Sequence, residues 1–231
     1  MGNMGFAFFD VDETILNFKS MMDFQKFYFL NCPDIREHHR EIEYYNFSMM
    51  MDTIARLHDR SIVNAKYFET FRGRHRVIVK RMAERWFSRL KKERNNLYNK
   101  CTLDALKSHK AAGTDIVLVS GSLIELLSPL ASELDIKFVI ATKLETKKKL
   151  FTGKILPPQI IGEGKAFAVR NFLEKNGCRA ENCHAYGDHI SDLPMLETVG
   201  IKHVIKGDPE LEKIANCRKW DILTPQTDNP M

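Results

Sequence analysis

Apolar and polar positions give the chain two textures. Gly5 to Val11 (GFAFFDV) is a short apolar run ending in acid, the pattern of a strand buried on both faces of a parallel sheet. From about Phe18 to Lys100 the periodicity is helical, and no segment reads as a strand. In Asn31-Cys32-Pro33-Asp34 the proline marks a turn between two helices. Ile78, Met82, Trp86 and Leu90 recur every fourth position with Val79, Ala83 and Phe87 beside them, which predicts an amphipathic helix. After Cys101 helix and strand alternate. Thr102–Ala112 reads as a helix capped by Gly113, and Asp115–Val119 as a strand. Ser120-Gly121-Ser122 then leads into a helix reaching about Leu134. Strands are expected at Ile136–Ala141, Cys183–Tyr186 and Ile201–Ile205, and helices at Gly164–Asn176 and Ile190–Thr198. Residues 142–159, with Gly153 and Pro157-Pro158, read as a small hairpin or flap. This alternation predicts an α/β fold with a doubly wound parallel sheet. The helical block is too long for a crossover. It is therefore expected to be an inserted domain over 18–100, with the sheet domain formed by 1–17 and 101–231.

Composition narrows the class. The 231 residues are 44% hydrophobic and 28% charged, which excludes a disordered tail, a collagen-like chain and a disulfide-stapled miniprotein. No run approaches a membrane span. Met1 to Phe9 lacks the basic start of a secretory signal, and Phe6 stands where a myristoylation motif at Gly2 wants Ser or Thr. The five cysteines include no Cys-x-x-Cys pair. Cys178, Cys183 and His184 are close in sequence but fit no common zinc spacing. All five are expected to be reduced thiols of a cytoplasmic protein.

The chemistry gathers at the ends of expected strands, where open parallel sheets bind ligands. Asp10 and Asp12 end the first strand, and their two-residue spacing sets them on one face. Ser120 ends the second strand, Asp188 and Asp192 follow the fourth, and Lys165 opens the helix between. Carboxylates converging in this way repel one another and call for a cation. Hard oxygen ligands favour Mg²⁺, and a lysine with a hydroxyl suits a phosphoryl group.

Four ordered segments carry a resemblance. Asp10-x-Asp12-x-Thr14, Val117-Leu118-Val119-Ser120, Gly162-Glu163-Gly164-Lys165 and Gly187-Asp188-x-x-x-Asp192 resemble the four motifs of the haloacid dehalogenase superfamily. The branch it is most similar to is the phosphatase branch that includes phosphoserine phosphatase, whose helical cap is inserted at the same place. The resemblance implies a Mg²⁺-dependent phosphomonoesterase that passes through an aspartyl-phosphate. Asp10 would be the nucleophile and Asp12 the general acid and base. Asp10, Asp12 through its backbone carbonyl, and Asp188 would hold the metal. Asp192 would support the metal's waters or Lys165. Ser120, Gly121 and Lys165 would hold the phosphoryl oxygens. The substrate would be a small phosphorylated metabolite. The acceptor, water or another alcohol, stays open, as does the oligomeric state.

Two positions depart from that pattern. His189 follows Asp188 where many relatives have Ser. Lys19 stands nine residues past the nucleophile, where phosphoserine phosphatases carry a Glu for the substrate ammonium. A cation there disfavours phosphoserine.

Charge along the chain is uneven. The net charge is +5 overall, but residues 72–94 carry ten Lys or Arg against two Glu, a net of +8 that equals the excess of the whole 18–100 block. Three readings follow: the solvated face of a helix, a lid that attracts anionic substrates, and a contact surface for RNA, DNA or an anionic membrane; a nucleic-acid-binding or scaffolding relative that has lost turnover is the rival to the enzyme. The first two are preferred, and neither nucleic acid nor membrane is an expected partner. Arg72 and Arg74, beside Gly73 in an expected turn, are the candidates to reach the substrate. The Met- and aromatic-rich segment 21–30 is read first as packing of the helices and second as an apolar pocket.

Overall fold

The structure, a computed structural model, describes residues 5–225. Met1 to Met4, including Gly2, lie outside the described residues. Strand β1 (Phe6–Phe9) is buried along its whole length, as an apolar run with no polar alternation requires. It is the centre of a seven-stranded sheet in the order β4-β3-β2-β1-β5-β6-β7. The remaining strands are β2 (Asp115–Leu123), β3 (Phe138–Lys147), β4 (Leu150–Leu156), β5 (His184–Gly187), β6 (Ile201–Ile205) and β7 (Asp221–Leu223). All neighbours pair in parallel except β3 and β4. Those two form the hairpin expected at 142–159, turned by Lys148 and Lys149 in left-handed backbone. Chain order reverses at β1, which sets a crevice at its carboxyl end.

Helices α1 (Ser20–Asn31), α2 (Arg40–Leu57), α3 (Arg60–Glu69) and α4 (Arg76–Glu93) stand between β1 and α5 (Lys100–Ala111). The later helices are α6 (Ile124–Glu133), α7 (Glu163–Lys175), α8 (Leu193–Glu197) and α9 (Pro209–Arg218). Helix α4 buries Val79, Met82, Ala83, Trp86, Phe87 and Leu90, the stripe its periodicity predicts. Its cations take the other face. Phe24 meets Trp86 at 5.6 Å between ring centroids, and Phe29 meets Phe47 at 5.4 Å. Each such buried ring contributes about 1.5–3 kcal/mol, so the aromatic 21–30 segment is chiefly packing. This core is continuous with the sheet face that carries Phe9 and Tyr186, while Phe6 and Phe8 face α7 and the opposite core. Among the described residues no helix is long and apolar enough to cross a membrane.

The sheet has one polar seam away from the crevice. His184 Nδ1 lies 3.0 Å from His203 Nε2, His203 Nδ1 lies 2.8 Å from Asp221 Oδ2, and His109 Nε2 lies 2.8 Å from the Tyr186 hydroxyl. Burial, with His184 and His203 close by, lowers the His109 pKa to about 4, and burial lowers that of His184 as well. A depressed histidine pKa favours the neutral ring in the fold. The stabilisation is therefore present above the ordinary value near 6.5 and is lost as pH falls from there toward 4. Full linkage for His109 would be about 3 kcal/mol, and water at this half-buried ring screens it to about 1–2 kcal/mol. Denaturant unfolding at pH 7 and pH 5 should show a smaller acid loss in His109→Gln than in the unsubstituted protein. Equal losses would exclude His109 as a source.

Candidate active site

The crevice at the carboxyl end of β1 gathers most of the residues expected there. Its cavity, about 440 Å³ including solvent at the mouth, is lined by Asp10, Asp12, Ser120, Gly121, Lys165, Asp188 and Asp192. The Asp10 N–H donates to the Tyr186 carbonyl (3.0 Å), which pins the end of β1 to β5. Glu13 then takes a left-handed conformation (φ 60°) that turns the chain sharply after Asp12. Thr14 Oγ1 donates to Asp188 Oδ1 at 2.6 Å, joining this loop to the end of β5.

Two glycines explain the motifs around the charged groups. A Cβ on Gly164 would stand 1.8 Å from the Gln159 carbonyl oxygen, so only glycine lets the first turn of α7 bring Lys165 inward. A Cβ on Gly187 would meet the Asp192 Cβ at 2.7 Å, and its absence lets Asp192 close beneath Asp188.

Lys165 is buried and lies between two acids. Its Nζ donates to Asp10 Oδ1 and, at 2.6 Å, to Asp192 Oδ1. Asp192 Oδ2 also accepts the His189 N–H at 3.3 Å. Asp192 thus touches Lys165 directly and also lies among the carboxylates of the cluster. β2 runs on past the strand end expected at Ser120 to Leu123, and its register with β3 shifts between the two; at that irregularity Ser120 Oγ accepts the Ser122 N–H at 3.1 Å.

The electrostatics are those of a crowded acid cluster. Burial holds Asp10 well above the usual carboxylate range; Lys165 pulls it down, and Asp192 and Asp188 push it up. Burial raises Asp12 too. Asp188 is pushed up to about 6 by burial and then by Asp192. Burial opposes the Lys165 ammonium, but Asp10 and Asp192 outweigh it and hold its pKa above the ordinary value. Oxygens of Asp10, Asp188 and Asp192 lie within 4.8 Å of one another, and Asp12 Oδ1 is buried without a hydrogen-bond partner among the described residues. Four lining carboxylates against one buried ammonium leave an excess of negative charge. Such a donor set fits a hard divalent cation.

The helical block contributes Met21, from the segment whose second reading is an apolar pocket, and two residues that the sequence pattern did not single out. Met21, Arg60 and Asn64 line the cavity, beside Ile160 and Ile161 from the loop before α7. Arg60 Nη1 donates to Ser191 Oγ at 3.3 Å, and Gln159 Nε2 donates to the Ser61 carbonyl at 3.0 Å, so the start of α3 rests on the sheet domain at the cavity edge. The Tyr67 hydroxyl donates to the Met21 carbonyl (2.9 Å) and holds that side of the wall. The one available signal was an Arg and an Asn four residues apart at a helix start.

Lys19, Arg72 and Arg74 are placed elsewhere. Lys19 is largely exposed and pairs with Glu13 at 3.5 Å, outside the cavity lining. Arg74 lies over the rings of Tyr28 and Phe29 (4.7 and 5.3 Å) and donates to the Thr70 carbonyl, while Arg72 packs beside Gly153 of β4. The physical reason is the turn itself: Gly73 (φ 77°) donates its N–H to Phe151, which docks the segment on the hairpin and turns it from the crevice. Arg76, Arg89, Lys91 and Arg94 of the basic run pair with Glu125, Glu93, Glu133 and Asp23. None of the ten cations of 72–94 lines the cavity.

A family model described as haloacid dehalogenase-like hydrolase matches residues 7–197. A Mycobacterium tuberculosis protein named "Probable phosphatase" is 39% identical over 121 residues, 52% of this chain and 42% of that protein. A phosphoserine phosphatase of the same organism is 32% identical over 121 residues, 52% of this chain and 39% of its own length. The matches thus span less than half of these relatives. A Bordetella pertussis structure of unknown function superposes with a TM-score of 0.80 at 20% identity, covering 96% of this chain and 99% of that one. A phospho-aspartyl intermediate analogue of phosphoserine phosphatase superposes at 0.65 with 17% identity, over 98% and 96% of the two chains. Both structures share the fold.

Proposed function

The chain belongs to the haloacid dehalogenase-like hydrolases, and from that premise we propose that it is a Mg²⁺-dependent phosphomonoesterase acting on a small phosphate ester through an aspartyl-phosphate. The observation that carries this reading is the convergence of Asp10, Asp12, Asp188 and Lys165 in one buried crevice. Helices α1–α4 (within 18–100) act as its cap.

Asp10 attacks phosphorus in line with the departing alcohol; the bond from phosphorus to the ester oxygen breaks as the bond to the Asp10 carboxylate forms. Lys165 lies against Asp10, so its charge favours the carboxylate form and later faces the phosphoryl oxygens, together with Ser120 and the Gly121 amide. Asp12, its pKa raised by burial, gives its proton to the leaving oxygen. It then takes a proton from the water that attacks phosphorus and frees Asp10. Asp10, Asp188 and the Asp12 backbone carbonyl would hold Mg²⁺, which when bound offsets the charge of the acid cluster and of the phosphoryl group. Asp192 keeps Lys165 in position.

Cap side chains decide the leaving group. The cap offers the cavity Met21, Arg60 and Asn64, and no carboxylate. A substrate ammonium therefore finds no acid on that side, whereas an anionic leaving group finds Arg60. Small carboxylated phosphates without an amino group should be hydrolysed at least about ten times better than phosphoserine, since one charged hydrogen bond is worth about 1.5–3 kcal/mol. Arg60→Ala should raise KM about 10–100-fold for such a substrate and alter kcat/KM for a neutral aryl phosphate less than about 3-fold. A substrate screen with these two controls checks the reading. Phosphoserine as the best substrate, or equal losses on both esters, would contradict it.

A further inference from the structure

Of the five cysteines, Cys178 and Cys183 come together, with their sulfurs 3.5 Å apart. Local geometry produces the approach. Gly177 ends α7 in left-handed backbone (φ 59°), and the Cys178 N–H returns to the Leu173 carbonyl at 3.0 Å. A short 3-10 turn, Ala180–Asn182, brings the chain back, and the Cys183 N–H donates to the Ala180 carbonyl at 3.0 Å. Both sulfurs face the Arg179 carbonyl, at 3.7 and 3.5 Å. The Phe6 N–H donates to Cys183 Sγ at 3.4 Å, fixing that sulfur against the start of β1.

We propose that Cys178 and Cys183 form a redox dithiol that closes to an intramolecular disulfide by exchange with a small disulfide such as oxidised glutathione. The two thiols differ in access. Cys183 is fully buried, and burial pushes its thiol up to about 11, so it does not begin the exchange. Cys178 is half-buried and makes the first attack. Its thiolate bonds to one glutathione sulfur, the glutathione disulfide breaks, and the other glutathione leaves as thiolate and takes up a proton. Cys183 then loses its proton and attacks the Cys178 sulfur, which expels the second glutathione. Two electrons pass from the cysteine pair to one glutathione disulfide, and two glutathione thiols are released. The pair lies before the amino end of β5, at the opposite end of that strand from Asp188, so the exchange requires none of the catalytic groups and stands apart from the phosphatase reading.

Peptide mapping tests this directly. The folded, full-length protein is incubated with oxidised glutathione, quenched by alkylation and digested with trypsin. Cleavage after Lys175, Arg179 and Lys202 separates the two cysteines, so a disulfide appears as peptides 176–179 and 180–202 linked until reductant is added. The exposed Cys217 reports that the oxidant has acted. The linked pair is expected in the unsubstituted protein, a lasting glutathione adduct on Cys178 in Cys183→Ser, and an unmodified Cys183 in Cys178→Ser. Glutathione retained on Cys178 in the unsubstituted protein without the linked pair would overturn the proposal. So would two thiols still open to alkylation after Cys217 has reacted.

Discussion

Asp10→Asn is expected to lower kcat by about 10⁴-fold or more while leaving the protein at least as stable as before. The first effect follows from the role proposed for Asp10. An amide of nearly the same shape cannot form the acyl phosphate, and residual positioning by the rest of the site does not replace a covalent step. The second effect follows from the acid cluster. Burial and two neighbouring acids hold Asp10 well above the ordinary carboxylate range, so its charged form is costly in the fold. A neutral amide removes its repulsion with Asp188 and Asp192, and Lys165 keeps its 2.6 Å bond to Asp192. Steady-state kinetics with an aryl phosphate, paired with thermal unfolding, reads both effects. Retained turnover in this variant would contradict the assignment of the nucleophile.

Lys165→Met should show the opposite pairing, with activity and stability lost together. Its ammonium is the buried positive charge in contact with both Asp10 and Asp192. Removing one partner of a buried ion network leaves the others desolvated and unpaired, at a cost of about 3–5 kcal/mol. The same ammonium is proposed to face the phosphoryl oxygens in the transition state. Its loss should lower kcat/KM about 10³-fold, equivalent to about 4 kcal/mol of barrier. Mg²⁺ should restore part of the stability, because it offsets the same carboxylates, and little of the rate. A variant that unfolds as the unsubstituted protein does would argue that the acids simply take up protons in place of the lysine.

These two residues also mark what the sequence made legible. Asp10, Asp12, Asp188 and Asp192 follow the carboxyl ends of β1 and β5, Ser120 lies in the last part of β2 and Lys165 opens α7, so topology brings them together with little help from side-chain detail. The buried stripe of α4 was legible for a similar reason, since a helix exposes its period directly. The cap residues were not. Whether Arg60, Arg72 or Arg74 faces the crevice depends on how α3 and the Gly73 turn dock on the sheet and its hairpin, and no local pattern encodes that docking; Lys19, just before α1, is turned instead to Glu13. Arg74 instead spends its cation on the Tyr28 and Phe29 rings. The last elements, α9 and β7, were also missed. Helix α9 opens on Asp208, whose side chain accepts the Glu210 and Leu211 N–H groups, but it buries only Leu211 and Ala215. Strand β7 is three residues long at an edge, too short for alternation to show.

The most direct measurement is a rapid acid quench during turnover of a phosphate ester labelled in its phosphoryl group, followed by peptide mapping. The account predicts label on the tryptic peptide 1–19, at Asp10, appearing only with Mg²⁺ and absent in Asp10→Asn. Phosphate release with no label on that peptide, or with label on another residue, would contradict it.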